Sequence, residues 1–291
     1  MTVKISGKTK ITALIGWPVS HSFSPAMHNA AFQDAGLDYV YICFPVEPGL
    51  IPEAVKGLMA LNICGANVTI PHKEAVIPFL DEISDEAEKI GAVNTILNRE
   101  GRLIGFNTDV YGYWKSLEVS DVDISGAHSV IIGAGGVARA IAVGNALKNA
   151  ASVSITDAVP GKAQALARHI QKLFPPLEVR DASLDSDLLK ESLARADIVI
   201  NATPLGMKET DPLFLDPDRF KNISASSVIF DAVYNVKDTK LWKACREGNL
   251  KYIGGLDMLL FQGVRAFEIW TDRTPNVLLM KKVLQEKLGT C

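Results

Sequence analysis

Three places in this chain combine residue types whose chemistry goes beyond folding. The first is residues 129–142, Ser-Val-Ile-Ile-Gly-Ala-Gly-Gly-Val-Ala-Arg-Ala-Ile-Ala, where apolar β-formers run into glycines and then into an Ala-rich helical pattern. Gly133, Gly135 and Ala138 fit the G-x-G-x-x-G/A spacing of a dinucleotide-binding turn. The first glycine permits the tight turn, the second lets a pyrophosphate approach the backbone, and the small third residue lets helix pack on strand. Phosphates would sit on free N–H groups around Ala134, Gly136 and Val137, at the positive end of the helix. The next apolar run, residues 151–157, ends in Asp157, about twenty residues on, where a ribose hydroxyl would be bound.

The second place is Lys73, just after Pro71 in a segment that reads as the first turn of a helix. The helix dipole disfavours a cation there, so its type is either that of an ordinary solvated lysine or of a placed ammonium. The third is the pair Ser22 and Ser24 at a helix start. Ser24 serves there as a plain N-cap, or the two hydroxyls and the helix N-terminus together make a carboxylate site. Asn67 and Asn94 are poor strand formers in apolar company, so each is either a satisfied core polar group or a ligand-facing one. Asp109 fits a helix N-cap as well as a functional acid, and Gln262, on an apolar helix, fits a surface position as well as a site.

The elements that would position these residues alternate between strand and helix. In the first hundred residues, strands are expected at 11–16, 39–46 and 64–70, the last stopped by Pro71. Helices are expected from Ser24-Pro25 to Gly36 and over 49–60, 73–80 and 85–90. Residues 92–98 and 103–106 read as a hairpin around Glu100-Gly101. A connecting helix at 110–117 leads to the glycine-rich unit, followed by helices at 161–173 and 188–194 and strands near Val179, at 197–201 and at 227–231. That alternation is an α/β fold: an N-terminal α/β domain over residues 1–109 and a doubly wound Rossmann domain over 110–255. Helices at 256–271 and 276–288 are expected to return to the first domain after Gly254-Gly255.

Composition narrows the function classes. A chain of 291 residues is long enough for about two domains, and 48% hydrophobic with 22% charged residues is an ordinary globular balance. A formal charge of -3 gives no electrostatic reason to expect nucleic acid or an anionic membrane as partner. Residues 1–10 are polar and 11–16 too short an apolar run for a signal peptide. No apolar run approaches the ~20 residues of a membrane span. Cys43, Cys64, Cys245 and Cys291 have no framework spacing and read as reduced thiols of a cytoplasmic protein. No metal-ligand cluster stands out.

As a set, these motifs resemble the shikimate dehydrogenase family. The resemblance is carried by Gly-x-Pro-x-x-His-Ser-x-Ser-Pro-x-x-His-Asn (residues 16–29), Asn-Val-Thr-Ile-Pro-His-Lys (67–73), Gly-Ala-Val-Asn-Thr (91–95) and Gly-x-Asn-Thr-Asp (105–109). Gly-Ala-Gly-Gly (133–136) with Arg139, Asn-Ala-Thr-Pro-x-Gly (201–206) and Met-Leu-x-x-Gln (258–262) continue it in the family's order along nearly the whole chain. It implies reversible hydride transfer between NAD or NADP and 3-dehydroshikimate or shikimate. The first domain, with helices 256–291, would bind the substrate. Lys73 and Asp109 would be catalytic, Ser22, Ser24 and Tyr234 would hold the carboxylate, and Asn94 and Gln262 would join Lys73 and Asp109 on the ring hydroxyls. Asn67 and Thr69 would line the site. Asn201, Thr203, Val233 and Gly255 would join the glycine turn and Asp157 around the cofactor. The partner is a small molecule, and a homodimer is left open.

One departure bears on the cofactor. Where biosynthetic members commonly carry a basic cluster for the 2′-phosphate of NADP, this chain reads Thr-Asp-Ala-Val-Pro (156–160), with Lys162 the nearest cation. An acid there favours the free ribose hydroxyls of NAD, and NAD use gives weight to the branch of the family that also oxidises quinate. Ser24, in place of a threonine, favours shikimate, and Asp257 has no assigned role. A binding protein that senses dinucleotide and metabolite without turnover is the alternative from another class; the paired Lys73 and Asp109 argue against it.

Overall fold

A computed structural model describes residues 5–289. Cys291 and the first four residues of the polar N-terminal stretch lie outside the described residues. The chain divides into two units: one runs to Gly112 and resumes at Leu260, the other spans Tyr113–Leu259.

The first unit is built on a six-stranded mixed sheet. Its elements are β1 (Lys10–Gly16), α1 (Ser24–Asp34), β2 (Tyr39–Pro45), α2 (Ile51–Ala60), β3 (Gly65–Val68), a short 3-10 turn (Ile77–Phe79), β4 (Glu82–Ile83), α3 (Asp85–Ile90), β5 (Thr95–Arg99) and β6 (Arg102–Phe106). The strand order is β2-β1-β3-β5-β6-β4. β1 pairs in parallel with β2 and β3, and β5 runs antiparallel to both β3 and β6. The β5–β6 hairpin turns at Glu100 and Gly101, both at positive φ (54° and 88°), as a type I′ two-residue turn requires. α4 (Asp109–Glu118) begins in this unit. After the second unit the chain returns through α10 (Leu256–Thr271) to α11 (Val277–Leu288).

Alternation along the strands assigns the two faces of this sheet. Ala13, Ile15, Ala66, Val68 and Ile96 face α2 and α3, where Ile51, Val55, Leu58 and Ala87 complete an apolar core. The opposite face carries an aromatic layer. Phe32 of α1 stacks on Tyr39 and Phe267, and Trp270 of α10 donates through Nε1 to the carbonyl of Ile96 at 2.9 Å. Gly65 has no room for a Cβ because the Trp270 ring fills that space. His28 lies inside the layer, 4.6 Å from the Tyr41 ring and 5.3 Å from that of Trp270.

Three expectations shift here. Residues 73–80 do not form a helix: Pro71 and Pro78 leave room only for turns and one 3-10 turn, so Lys73 sits in a turn where no dipole opposes it. The strand expected over 64–70 is confined to β3. Ser24 is not the N-cap of α1: the cap is Phe23, without a side-chain bond, and Ser22 Oγ instead accepts from the Ser24 N–H at 3.2 Å.

The second unit is an all-parallel sheet of β7 (His128–Ile132), β8 (Ser152–Thr156), β9 (Glu178–Asp181), β10 (Ile198–Asn201), β11 (Val228–Asp231) and β12 (Lys251–Gly254). Its order, β12-β11-β10-β7-β8-β9, reverses between β7 and β10, the switch point of a doubly wound fold. α5 (Gly136–Leu147) and α6 (Lys162–Leu173) follow β7 and β8. α7 (Asp187–Arg195) and α9 (Lys240–Glu247) pack Leu189, Leu193, Leu241 and Cys245 against Val130, Val199 and Ile229. α8 (Pro217–Phe220), α9 and β12 were not expected from periodicity. Among the described residues, no helix is long and apolar enough to cross a membrane.

His28 generates a stability prediction. It is fully buried, neither ring nitrogen has a hydrogen-bond partner among the described residues, and burial lowers its pKa from 6.5 to about 3. The folded state therefore keeps His28 neutral where the unfolded chain takes up a proton. Stability is complete above pH 6.5 and is lost as pH falls toward 3. His28→Phe keeps a stacked ring and removes this loss. Between pH 7 and pH 5 the parent chain should lose about 2 kcal/mol more unfolding free energy than the variant, measured by urea denaturation. Identical losses would mean that His28 is protonated inside the fold.

Candidate functional site

In the first unit, strand register brings the candidate residues to one edge of the sheet. β1 and β3 both exit at that edge, β5 enters there, and β6 ends there, with Leu14 opposite Asn67, Asn67 opposite Thr95 and Thr95 opposite Phe106. The segments that follow or precede these strand ends hold Ser22 and Ser24, Thr69 and Lys73, Asn94, and Asp109. Gln262, on α10, is buried in the same unit. Its neighbour Gly263 abuts Met27 of α1 so closely that a Cβ would have no room.

At the centre of this edge, Lys73 Nζ donates to Asp109 Oδ2 at 2.6 Å, with the two residues only 8% and 5% exposed. The other carboxylate oxygen, Oδ1, accepts from Asn94 Nδ2 at 2.8 Å. Asp109 is thus the first residue of α4 but not its cap; Asn107 accepts the Asp109 N–H instead, at 3.0 Å. A charge pair withdrawn this far from water is stable only if its remaining hydrogen-bonding positions are met.

Asn94 meets the remaining carboxylate position because its amide cannot flip. The Thr108 backbone N–H, an obligate donor, points at Asn94 Oδ1 at 2.7 Å, so Nδ2 must be the atom that faces Asp109 and Thr108 Oγ1. The Thr95 hydroxyl then donates to the same Oδ1 at 2.9 Å and accepts from Asn67 Nδ2 at 3.0 Å. That leaves Asn67 Oδ1 for the Tyr41 hydroxyl, which donates at 2.8 Å. Each hydroxyl has one proton, so the direction of the chain from Tyr41 to Asp109 is set at its Thr108 end. In this arrangement both N–H groups of Asn94 and both of Asn67 are used within the protein. Both asparagines thus have partners within the protein, and Asn94 orients the acid.

Tyr41, Thr95, Asn107 and Thr108 join the hydrogen bonds around Asn67, Asn94 and Asp109, and a reading of the sequence alone assigns them no site role. The available signal was polar residues next to each other in apolar surroundings, at Asn-Thr (94–95) and Asn-Thr-Asp (107–109). Thr69 is half-buried after β3, and Ser24 is buried. Tyr234 belongs to the second unit, on the segment after β11, and is half-buried.

In the second unit, Gly133 takes a positive φ of 107°, and a Cβ there would stand 2.9 Å from the Ala202 carbonyl. Only glycine fits. A Cβ at Gly135 would project into open space, the opening that a close-lying pyrophosphate needs. α5 begins at Gly136 with no side-chain cap, so the N–H groups of Gly136, Val137 and Ala138 have no partner within the helix. Asp157 follows β8, half-buried, and its carboxylate pins the turn: Oδ2 accepts the Ala134 N–H at 2.8 Å and Oδ1 the Val159 N–H at 2.7 Å. The Ala134 amide is thereby committed to Asp157.

The other cofactor candidates gather at the carboxyl ends of β10, β11 and β12. Asn201 Oδ1 accepts from the Thr203 amide and hydroxyl (3.1 and 2.7 Å), and its Nδ2 donates to the Leu205 carbonyl and to Asp231. Thr203 Oγ1 accepts from the Leu205 N–H. These side chains shape their own loop. Val233 is buried, and Gly255 lies so near the Ala232 carbonyl that a Cβ would come within 2.5 Å of it. The open glycine, the uncapped helix start and the ribose-side acid together fit a nicotinamide dinucleotide. Among the described residues no group of three or more His, Cys, Asp or Glu could hold a metal ion.

Comparison with known proteins agrees along the chain. The shikimate dehydrogenase substrate binding domain matches residues 14–96, and the shikimate 5′-dehydrogenase C-terminal domain matches 255–285. The C-terminal domain of alanine dehydrogenase/PNT matches 115–235. Shikimate dehydrogenase (NADP(+)) of Desulforamulus reducens is 42% identical, covering 98% of each chain. The protein of the same name from Methanocaldococcus jannaschii is 43% identical over 98% of this chain and 99% of its own. Shikimate 5-dehydrogenase of Listeria monocytogenes, crystallised with shikimate and NAD, superposes with a TM-score of 0.87 at 35% identity, covering 98% of this chain and 99% of its own.

Replacing Thr95 by valine keeps the volume but strands the second Asn67 N–H and removes one donor from Asn94. Unfolding free energy should fall by about 1–3 kcal/mol in urea titration, the cost of a buried unsatisfied polar group. Thr95→Ser should recover most of it. A valine variant as stable as the parent would show that this hydroxyl does not hold the chain together.

Proposed function

We propose, from the premise that this chain belongs to the shikimate dehydrogenase family, that it catalyses the reversible reduction of 3-dehydroshikimate to shikimate with a nicotinamide dinucleotide. The observation that carries this is the buried Lys73–Asp109 pair held by Asn94 at the substrate-domain sheet edge. When bound, the dinucleotide supplies hydride to the ketone carbon or accepts it from the alcohol. Gly133, Gly135, Gly136, Val137, Ala138 and Asp157 would hold it, with Val233 and Gly255 beside them and the Asn201–Thr203 loop shaped to meet it.

Lys73 does the proton work. Negative charge grows on the substrate oxygen as the ketone is reduced, and a fixed ammonium stabilises that charge and then delivers its proton. Asp109 keeps the ammonium aimed and its charge balanced; in the reverse direction the pair takes the alcohol proton as one coupled unit. Ser22, Ser24, Thr69 and Gln262 supply further polar contacts for a polyhydroxylated carboxylate, a ligand with little apolar surface to bury. We place the enzyme in the cytoplasm, where reduced thiols such as Cys43, Cys64 and Cys245 persist.

We further infer that NAD is preferred over NADP. The two curated relatives are named for NADP(+) and the Listeria protein was crystallised with NAD, so family membership leaves the choice to local residues. Here the residue after β8 is Asp157, an acid whose carboxylate is fixed by two backbone N–H groups and would repel a 2′-phosphate. Lys162, the nearest cation in sequence, begins α6 and is exposed.

Two measurements test this. Lys73→Ala should lower kcat roughly 10²–10⁴-fold while leaving the KM for shikimate within about tenfold; near-normal turnover would remove Lys73 from the chemistry. A steady-state grid of shikimate and quinate against NAD and NADP should give the highest kcat/KM for shikimate with NAD. A clear advantage for NADP would overturn the cofactor assignment and leave the reaction standing.

A further inference from the structure

One buried acid has no part in the proton chemistry and, among the described residues, no cationic partner. Asp231, the last residue of β11, is fully buried, and burial raises its pKa from 3.8 to about 6. The side chains that face it are polar or weakly acidic. The Tyr252 hydroxyl of β12 donates to Oδ2 at 3.0 Å, and burial, with a smaller contribution from nearby Asp231, pushes the Cys245 thiol of α9 up to about 12. A carboxylate kept in such a place destabilises the fold relative to an apolar residue, so its use lies in what it holds.

What it holds is the edge where the dinucleotide candidates gather. Register puts Asn201, Asp231 and Gly254 side by side at the carboxyl ends of β10, β11 and β12. Asp231 Oδ1 accepts from Asn201 Nδ2 at 2.9 Å and from the Val233 N–H at 3.1 Å. The first bond reaches the loop after β10, which Asn201 in turn organises through Thr203 and Leu205. The second fixes the loop after β11, whose Val233 carbonyl accepts the Gly255 N–H at 3.2 Å. One oxygen atom therefore sets the spacing between the Asn201–Thr203 loop and the Val233–Gly255 contact.

We propose that Asp231 is a positioning residue for dinucleotide binding, acting through the acceptor that Oδ1 offers to both loops, an inference that rests on the second unit binding a dinucleotide. The acceptor matters, and the charge does not. An asparagine could present its carbonyl oxygen to Asn201 and Val233 and donate from its amide to the Tyr252 hydroxyl, which can turn to accept. Alanine offers neither loop anything.

The test is calorimetric titration of NAD and NADH into the full chain, independent of turnover, with shikimate titrated as control. Asp231→Ala should raise the dinucleotide Kd about tenfold or more, the effect of losing about 1.4 kcal/mol of organisation, and leave the shikimate Kd within about twofold. Asp231→Asn and Tyr252→Phe should both stay within about threefold of the parent. An alanine variant that binds dinucleotide like the parent would overturn the proposal. So would an asparagine variant as weak as alanine, which would point to the charge, or an equal loss of shikimate binding, which would point to general damage. If the alanine variant does not fold, Asn201→Ala cuts the same link from the other side and should raise the dinucleotide Kd equally; unchanged affinity there would also overturn it. A parent chain that binds neither dinucleotide would instead refute the dehydrogenase function itself.

Discussion

The Lys73–Asp109 ion pair is the constraint to which the first unit is built. Two opposite charges taken out of water gain attraction but lose hydration, and the balance is favourable only when their other hydrogen-bonding positions are filled. For the carboxylate that filling comes from a distance. Asn94 covers the second carboxylate oxygen, the Thr108 amide locks Asn94, and Thr95, Asn67 and Tyr41 carry the order back to the middle of the sheet. The Lys73 ammonium is therefore held in one place by bonds made within the first unit.

The second unit solves a different problem with the same means. A dinucleotide needs backbone N–H groups and close approach, so glycine carries the site and side chains serve mainly to hold loops in place. Asp157 does so for the glycine turn by accepting the Ala134 amide, and Asn201 does so for the next loop by accepting from Thr203. These are short side chains bonded to nearby main chain, and they leave the backbone to face the ligand.

Much of this was legible without coordinates, and the remainder was hidden for identifiable reasons. Turns carried by special backbone states were read correctly because they depend on local residues: the hairpin at Glu100-Gly101 and the tight turn at Gly133 are examples. The segment after Pro71 reads as helix in the strand–helix alternation but forms turns and one 3-10 turn, which holds Pro78. The cap of α1 lies one residue before the expected one, because Phe23 caps the helix and Ser22 Oγ accepts the Ser24 N–H. Tyr41, Thr95 and Asp231 escaped notice because their roles exist only through register: Asn67 opposite Thr95, and Asn201 beside Asp231, are facts of strand pairing that no local pattern encodes. For Asp231 a hint was present, an acid ending the otherwise apolar run Val-Ile-Phe-Asp (228–231).

Trp270 closes the aromatic layer by filling the space beside Gly65 and bonding to Ile96, yet it stands after the whole of the second unit in the chain. The second unit is one uninterrupted segment; the first is assembled from two. During synthesis, the dinucleotide half has all of its parts in hand while the substrate half still waits for its last helices. Until α10 and α11 emerge, the sheet face that carries Asn67 and Thr95 has α1 over it but lacks Phe267 and Trp270. Birth order along the ribosome therefore makes the substrate half the last to have all of its helices in hand.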